Sequence, residues 1–259
     1  MNGHKFTNVF SNLLYQINFM KNILYGFLAA AFFLSGCDLM IGRRVQGNGH
    51  IVTEERNIHT ANKIKLAGSY DVEIAKGPSA AVKVEADDNL MSHIIIENEG
   101  DWLIIKSKDH ESLISTQTIK IYITTDELEA VELAGSGNIT GKDKFSGNNK
   151  MDLSIAGSGD MNLEINAPKV KASIAGSGNI NLSGETKDQE IHIAGHGDYR
   201  AENLKSENAE VHIAGSGNVK VFADNTLDIH IAGSGDVFYK GNPKISQHIA
   251  GSGEIKQLQ

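Results

Sequence analysis

One short motif governs what this chain can fold into. Ala-Gly-Ser-Gly followed by Asn, Asp or Glu recurs with alanines at 134, 156, 175, 194, 214, 232 and 250, at intervals of 22, 19, 19, 20, 18 and 18 residues. His196 replaces the serine in one copy, and a degenerate copy stands earlier as Ala67-Gly68-Ser69-Tyr70-Asp71. Self-similarity at this period marks a repeat protein, in which each unit buries its apolar face only by stacking on its neighbours.

The residues around each motif alternate. Lys150-Met151-Asp152-Leu153-Ser154-Ile155 leads into Ala156, and Asp160-Met161-Asn162-Leu163-Glu164-Ile165 leads out. Apolar residues at every second position mark strands with one buried face. The glycines of Gly-Ser-Gly admit backbone angles that other residues resist, so the chain can bend sharply between two strands. Looser turns follow near Asn166-Ala167-Pro168, Gly184-Glu185-Thr186, Asp224-Asn225 and Gly241-Asn242-Pro243. Each repeat therefore reads as strand, glycine corner, strand, turn.

Such units could form a row of antiparallel hairpins, or a parallel β-helix in which each repeat is one coil. The near-constant period favours the coil, because stacking in register needs equal circumference at every rung. The columns favour it too. One residue before the alanine stand Leu133, Ile155, Ile174, Ile193, Ile213, Ile231 and Ile249; five after it stand Ile139, Met161, Ile180, Tyr199, Val219, Val237 and Ile255. Like apolar residues about 4.8 Å apart fill a coil interior without voids. The fold class is all-β, a parallel β-helix (solenoid) with 18–22 residues per rung.

Residues 47–133 are strand-rich but irregular, with strands expected at Lys63–Leu66, Asp71–Ala75, Ala81–Glu85, Trp102–Lys106 and Ile119–Thr124. A turn or short helical start is expected over 86–90, and a hairpin turn at Asn98-Glu99-Gly100-Asp101. This part reads as an irregular start to the same solenoid that supplies its cap. Residues 134–259 form the regular part. Trp102 and Tyr122, outside the repeat, read as core.

At the N-terminus a twelve-residue apolar run, Ile23 to Leu34, follows Lys21 and precedes Leu34-Ser35-Gly36-Cys37. A membrane-spanning helix takes about 20 residues, so a secretory signal over residues 1–36 fits better. Residues 1–19 then read as an extension ahead of a start at Met20. Leu34-Ser35-Gly36-Cys37 resembles the bacterial lipobox, which implies that Cys37 is lipid-modified, with residues 37–46 as a linker from the anchor. The plainer alternative is a buried cysteine after a core helix.

A single cysteine excludes a disulfide framework and any Cys-based zinc site. With 24 Lys and Arg against 32 Asp and Glu, the formal charge is −8, which argues against nucleic acid as a partner. The signal would remove Lys5 and Lys21 and no acid, leaving the mature chain more acidic still.

Two outward columns could carry chemistry. Two residues before the alanine stand Glu132, Ser154, Ser173, His192, His212, His230 and His248. Four histidines on consecutive rungs could share a Zn²⁺ or Cu²⁺; the alternative is a solvated stripe of stacked rings. After each Gly-Ser-Gly stand Asn138, Asp160, Asn179, Asp198, Asn218, Asp236 and Glu254. Stacked side-chain amides and acids bonding their own backbone would cap the corners. The functional alternative is a calcium or glycan strip built on Asp160, Asp198, Asp236 and Glu254. Asp160 and Asp198, two rungs or about 9.6 Å apart, fall just outside the carboxylate separation of an inverting glycosidase. Catalytic sites break a repeat, and this one is hardly broken: His196 and Tyr199-Arg200 read as ordinary variation. No P-loop, G-x-S-x-G or H-E-x-x-H pattern occurs, and no cofactor is called for.

Gly47-Asn48-Gly49, Val72-Glu73-Ile74 with Gly77, the run Val82-Lys83-Val84-Glu85-Ala86-Asp87-Asp88-Asn89-Leu90 and the Leu133-Ala134-Gly135-Ser136-Gly137 series resemble the auto-transporter adhesin, head GIN domain family, common in Bacteroidetes lipoproteins. The resemblance spans about residues 45–255. It implies a right-handed, single-stranded β-helix, and it carries no catalytic residues. The expectation is a non-enzymatic, lipid-anchored envelope protein, an adhesin-like or scaffold module, with a glycan or an envelope protein as partner and the membrane reached through its lipid. The alternative is a carbohydrate-active β-helix enzyme or a glycan-binding protein. Asp38-Leu39-Met40 lacks an acidic cluster, which favours the periplasmic side of the outer membrane over the cell surface.

Overall fold

The alternation through each repeat produces parallel strands that stack in register. Lys150–Gly157 pairs with residues 169–176 of the strand Asp160–Gly176, and those with residues 188–195 of Asn179–Gly195. The series continues through Asn208–Gly215, Thr226–Gly233 and Lys244–Gly251. Every alanine of the motif lies opposite the next, from Ala67 through Ala134 and Ala156 to Ala250. Pairing between repeats selects the coil over the row of hairpins. The result is a β-solenoid of about six turns. This computed structural model describes residues 42–259. The signal segment and Cys37 lie outside the described residues, and Arg43–Gln259 forms one compact unit.

The inward columns are those the alternation marks. Leu133, Ile155, Ile174, Ile193, Ile213 and Ile231 are buried, as are Ile139, Met161, Ile180, Tyr199, Val219 and Val237; Ile249 and Ile255 on the last rung are partly covered.

The corner depends on both glycines, for different reasons. Gly157 has φ +139°, a conformation that side chains resist, and a Cβ on it would lie 2.2 Å from the Gly135 carbonyl oxygen one rung below. Gly159 has no such angle, but its Cβ would lie 2.1 Å from the Gly137 carbonyl oxygen. Those carbonyls are the hydrogen-bond acceptors that join the rungs: Ser158 and Gly159 donate their N–H groups to Gly135 at 2.9 and 3.2 Å, and Asp160 donates to Gly137 at 3.2 Å. The middle residue points outward and is exposed, which is why His196 is accepted in place of serine.

The irregular part begins the same stack. Lys63–Gly68 pairs in parallel with Ala130–Gly135, and Asp71–Lys76 with Asn138–Ser146, so the degenerate copy at Ala67 is a true rung. Beneath it lie Trp102–Ser107 and Lys120–Thr125, also parallel. The remaining strands pair antiparallel: Ile51–Arg56 with Ala81–Asp87, Ala81–Asp87 with Lys120–Thr125, and Ile94–Glu99 with Trp102–Ser107 across the expected hairpin turn. A 3-10 helix at Asp88–His93 buries Leu90 and Met91. Trp102 and Tyr122 are corrections: both are only half-buried, and the Lys83 ammonium sits 4.8 Å from the centre of the Tyr122 ring. Each faces outward on its strand, so its bulk covers the sheet surface instead of filling the interior.

Candidate functional site

The column after Gly-Ser-Gly is a hydrogen-bonded ladder that extends one rung further than the regular motif, to Asp71. Asn138 donates its amide to Asp71 at 2.8 Å, Asn179 to Asp160 at 2.7 Å, and Asn218 to Asp198 at 3.2 Å. Backbone N–H groups complete it: Asp198 donates to the Asn179 side-chain oxygen, Asp236 to that of Asn218, and Glu254 to Asp236. A carboxylate only accepts, whereas an amide both accepts and donates. Alternating them lets neighbouring rungs bond from Asp160 to Asp236 without setting like charges face to face. Asp160, Asp198, Asp236 and Glu254 are thus brought into one line, with Asp160, Asp198 and Asp236 two rungs apart; the oxygens of the three aspartates brace the corners, whereas the Glu254 carboxylate lies 3.5 Å from Lys256.

The histidines form the second line. The rings of His192 and His212, and of His212 and His230, stack with centroids 4.9 Å apart and planes within 7° of parallel; His248 follows at 6.3 Å, tilted by 46°. Nitrogen lone pairs lie in the ring plane, so stacked rings present them side by side, not converging on a point. Among the described residues no group of three or more His, Cys, Asp or Glu is placed to hold a metal ion.

Instead, the first three imidazoles turn Nε2 to a carboxylate two residues earlier on the same face, while His248 has Ser246 at that place. His192 meets Glu190 at 3.0 Å, His212 meets Glu210 at 2.8 Å, and His230 meets Asp228 at 3.4 Å. This acidic column escaped the sequence reading, although the period-2 rule that placed the histidines outward places residues two earlier beside them. Glu190 is the centre of a cluster. Lys169 and Lys171 each reach it at 2.7 Å, and hydrogen bonds from Lys169, Lys171 and His192 hold its carboxyl well below the usual carboxylate range. In return Glu190 raises the Lys169 ammonium.

Beside the histidines the alanines of the motif are exposed and have no bulk. Together they form an open, largely apolar groove of about 690 Å³ running from Ser154 to Ala250, floored by Ala156, Ala175, Ala194, Ala214 and Ala232 and edged by Ser154, Ser173 and the imidazoles.

This architecture has relatives. The family described as "Putative auto-transporter adhesin, head GIN domain" matches residues 61–243. The chain belongs to this family. Among solved structures, a "putative lipid binding protein" from Parabacteroides distasonis is 30% identical, with a TM-score of 0.72 over 84% of this chain and 100% of that one. A "putative adhesin" from Bacteroides fragilis shares the fold at 22% identity and TM-score 0.78, covering 83% of this chain and all of that one. Another from Parabacteroides merdae shares it at 23% and 0.68, over 84% of this chain and all of that one. No curated protein matches. The family description is that of an adhesin-like protein.

Two buried hydrogen-bonded polar groups lie inside this head GIN domain. Asp87 is fully buried and accepts from the Gly49 N–H at 2.6 Å, the Ser115 hydroxyl at 2.5 Å, and the Thr116 N–H and hydroxyl at 3.0 and 2.7 Å. Burial alone would push its carboxyl up, but the bonds from Ser115, Thr116 and Gly49 outweigh it and hold the group well below the usual range. Gly47 packs on the same carboxylate, with no room for a Cβ. Tyr199 is the second. It is buried inside the coil, where its hydroxyl donates to Gln189 at 2.8 Å, and Gln189 in turn donates to Ser206 at 2.9 Å. What reads as chance variation at Tyr199 is a polar bolt through the interior.

Proposed function

We propose that the chain is a non-enzymatic, adhesin-like module of the bacterial envelope, tethered by a lipid on Cys37 to the outer membrane and facing the periplasm, which holds an envelope glycan along the groove of alanines and histidines. One observation carries the reading: the groove repeats an exposed methyl floor beside an imidazole or hydroxyl edge at every rung over its length, with a carboxylate behind that edge at Asp152, Glu190, Glu210 and Asp228. A row of similar sites at fixed spacing suits a polymer with its own repeat. Sugar C–H faces pack on methyl groups while hydroxyls bond to Ser154, Ser173 and the imidazoles. Electrostatic and hydrogen-bonding edges around an apolar floor are the usual composition of a small-molecule groove.

A second reading has one observation in its favour. The apolar lining would also accept an acyl chain, and the Parabacteroides distasonis neighbour is described as a putative lipid binding protein. One experiment separates the two. The mature chain is applied to immobilised envelope polysaccharide, to phospholipid vesicles and to glycan-free envelope protein, alongside Ala194→Glu and Ala214→Glu variants, whose charges enter the groove at exposed positions. Retention on polysaccharide, lost in both variants at unchanged melting temperature, supports the glycan; retention on vesicles supports the lipid; retention only on protein makes the partner an envelope protein. Retention insensitive to both variants removes the groove from consideration. Radiolabelled palmitate incorporation, abolished by Cys37→Ser, tests the anchor, and protease shaving of intact cells tests the face.

A further inference from the structure

The stack is interrupted at one place, from both sides. The strands Asp160–Gly176 and Asn179–Gly195 pair without a shift from Asp160 opposite Asn179 to Ala167 opposite Thr186. On one side, between Thr140 opposite Asn162 and Lys144 opposite Glu164, the residues Gly141, Lys142 and Asp143 stand against Leu163 alone. On the other, between Asn181 opposite Arg200 and Ser183 opposite Asn203, Ala201 and Glu202 stand against Leu182 alone. Two bulges therefore flank the same two-rung platform at the same height. Bulges re-aim side chains and collect next to functional sites.

Between them lies a recess of about 420 Å³ of mixed lining, with Asn162, Glu164, Asn181, Arg200 and Glu202 among its polar groups and Leu163 and Leu182 among its apolar ones. Its groups are oriented. Asn181 donates its amide to the Asn162 oxygen at 2.7 Å, Arg200 donates to the Asn181 oxygen at 3.4 Å, and Asp198 holds the other end of the Arg200 guanidinium at 2.7 Å. This fixes which atom of each amide faces out and leaves the Asn162 Nδ2 as a donor at the end of the row. Among the described residues the Glu164 and Glu202 side chains have no hydrogen-bond or ion-pair partner. The row is local: beyond Arg200 the column continues as Lys220 and Phe238.

We infer that this recess is a saccharide-binding site for a mono- or disaccharide, in which Glu164 and Glu202 accept from neighbouring hydroxyls, the Asn162 amide donates to one, and the two-rung platform receives the ring. Carboxylates and amides held in fixed positions are complementary to pairs of adjacent hydroxyls, each of which both donates and accepts. The volume lies at the lower end of the range of about 300–1,000 Å³ for small-ligand sites. The recess is separate from the alanine–histidine groove, and its assignment stands whether or not that groove holds a polymer.

The test is a heteronuclear NMR titration of the mature chain with D-galactose, D-mannose and N-acetyl-D-glucosamine, each taken to tens of millimolar. The expected result is a saturable shift for at least one sugar, confined to the amides around Asn162, Asn181, Arg200 and Glu202. Glu202→Gln, Glu164→Gln and Asn162→Ala should each weaken it about tenfold, the effect of one lost charged or oriented hydrogen bond. These side chains are exposed or half-exposed, so an unchanged melting temperature certifies the fold, and Ala214→Glu should leave the titration untouched. Absence of saturable shifts with all three sugars, shifts centred on the histidines, or affinities unmoved by the three recess variants would overturn the assignment.

Discussion

Asn179 stands one rung above Asp160 and gives it two hydrogen bonds at once, from the side-chain amide at 2.7 Å and from its own backbone N–H at 3.2 Å, both to the same carboxylate oxygen. The alternation of Asn and Asp along the corner follows from this arrangement. Asn179→Asp removes the amide donor and places a third carboxylate between Asp160 and Asp198. Unfolding in urea at neutral pH should show a loss of about 1–3 kcal/mol. A variant as stable as the wild type at pH 7 would show that the ladder carries no weight.

The two glycines of a corner should fail for different reasons and to a similar degree. Gly157→Ala forces a side chain into φ +139° and against the Gly135 carbonyl, while Gly159→Ala collides with the Gly137 carbonyl at ordinary angles. Both displace the acceptors that join the rungs, so each should cost about 3 kcal/mol or more. Ser158→Ala, between them and exposed, should stay within about 0.5 kcal/mol of the wild type. Thermal unfolding of the three variants side by side decides the matter.

Acid should act through Glu190. Its carboxyl titrates below the ordinary value in the folded chain because Lys169, Lys171 and His192 bond to the charged form. The folded state thus favours the ion. The resulting stability is complete above the unfolded-chain value near 4.5 and drains away as pH falls through and below it. Melting temperatures between pH 7 and pH 3 should fall less steeply for Glu190→Gln than for the wild type. Parallel curves would refute the assignment.

Asp87 should be the least replaceable acid in the cap. Asp87→Asn presents an NH₂ group to a site furnished with N–H and O–H donors from Gly49, Ser115 and Thr116. An expected loss of about 3 kcal/mol should come with increased hydrogen exchange at Gly49 and Thr116. Normal protection at both would mean that the loops are fixed by something else.

Much of this was legible because the coil writes its geometry into the chain. Ile193 and His192 can be assigned to opposite faces from the alternation alone, and the period sets His212 above His192. The interruptions were less legible, yet they too left a trace. Inward residues fall at Tyr199, Ala201 and Leu204, a step of three where two is the rule, and the polar run between Ile139 and Phe145 has no alternation at all. A phase slip of that kind marks a bulge. The metal expectation for the histidines rested on spacing without orientation, and only the stacked rings and their carboxylates supply that. The cap resisted sequence reading because antiparallel pairing of Ala81–Asp87 with both Ile51–Arg56 and Lys120–Thr125 follows no period.

Asp71 and Asn138 face one another across 67 residues of chain, whereas later neighbours in the same ladder are separated by 18–22. Contacts between residues close in sequence form early, and distant ones must wait for a large loop to close. The chain therefore has a seam. Coils from Asn138 onward close through short loops, whereas the coil that carries Asp71 meets them only across a long excursion, so loop-closure cost predicts that this pairing, alike to any other adjacent pair in the finished stack, forms late.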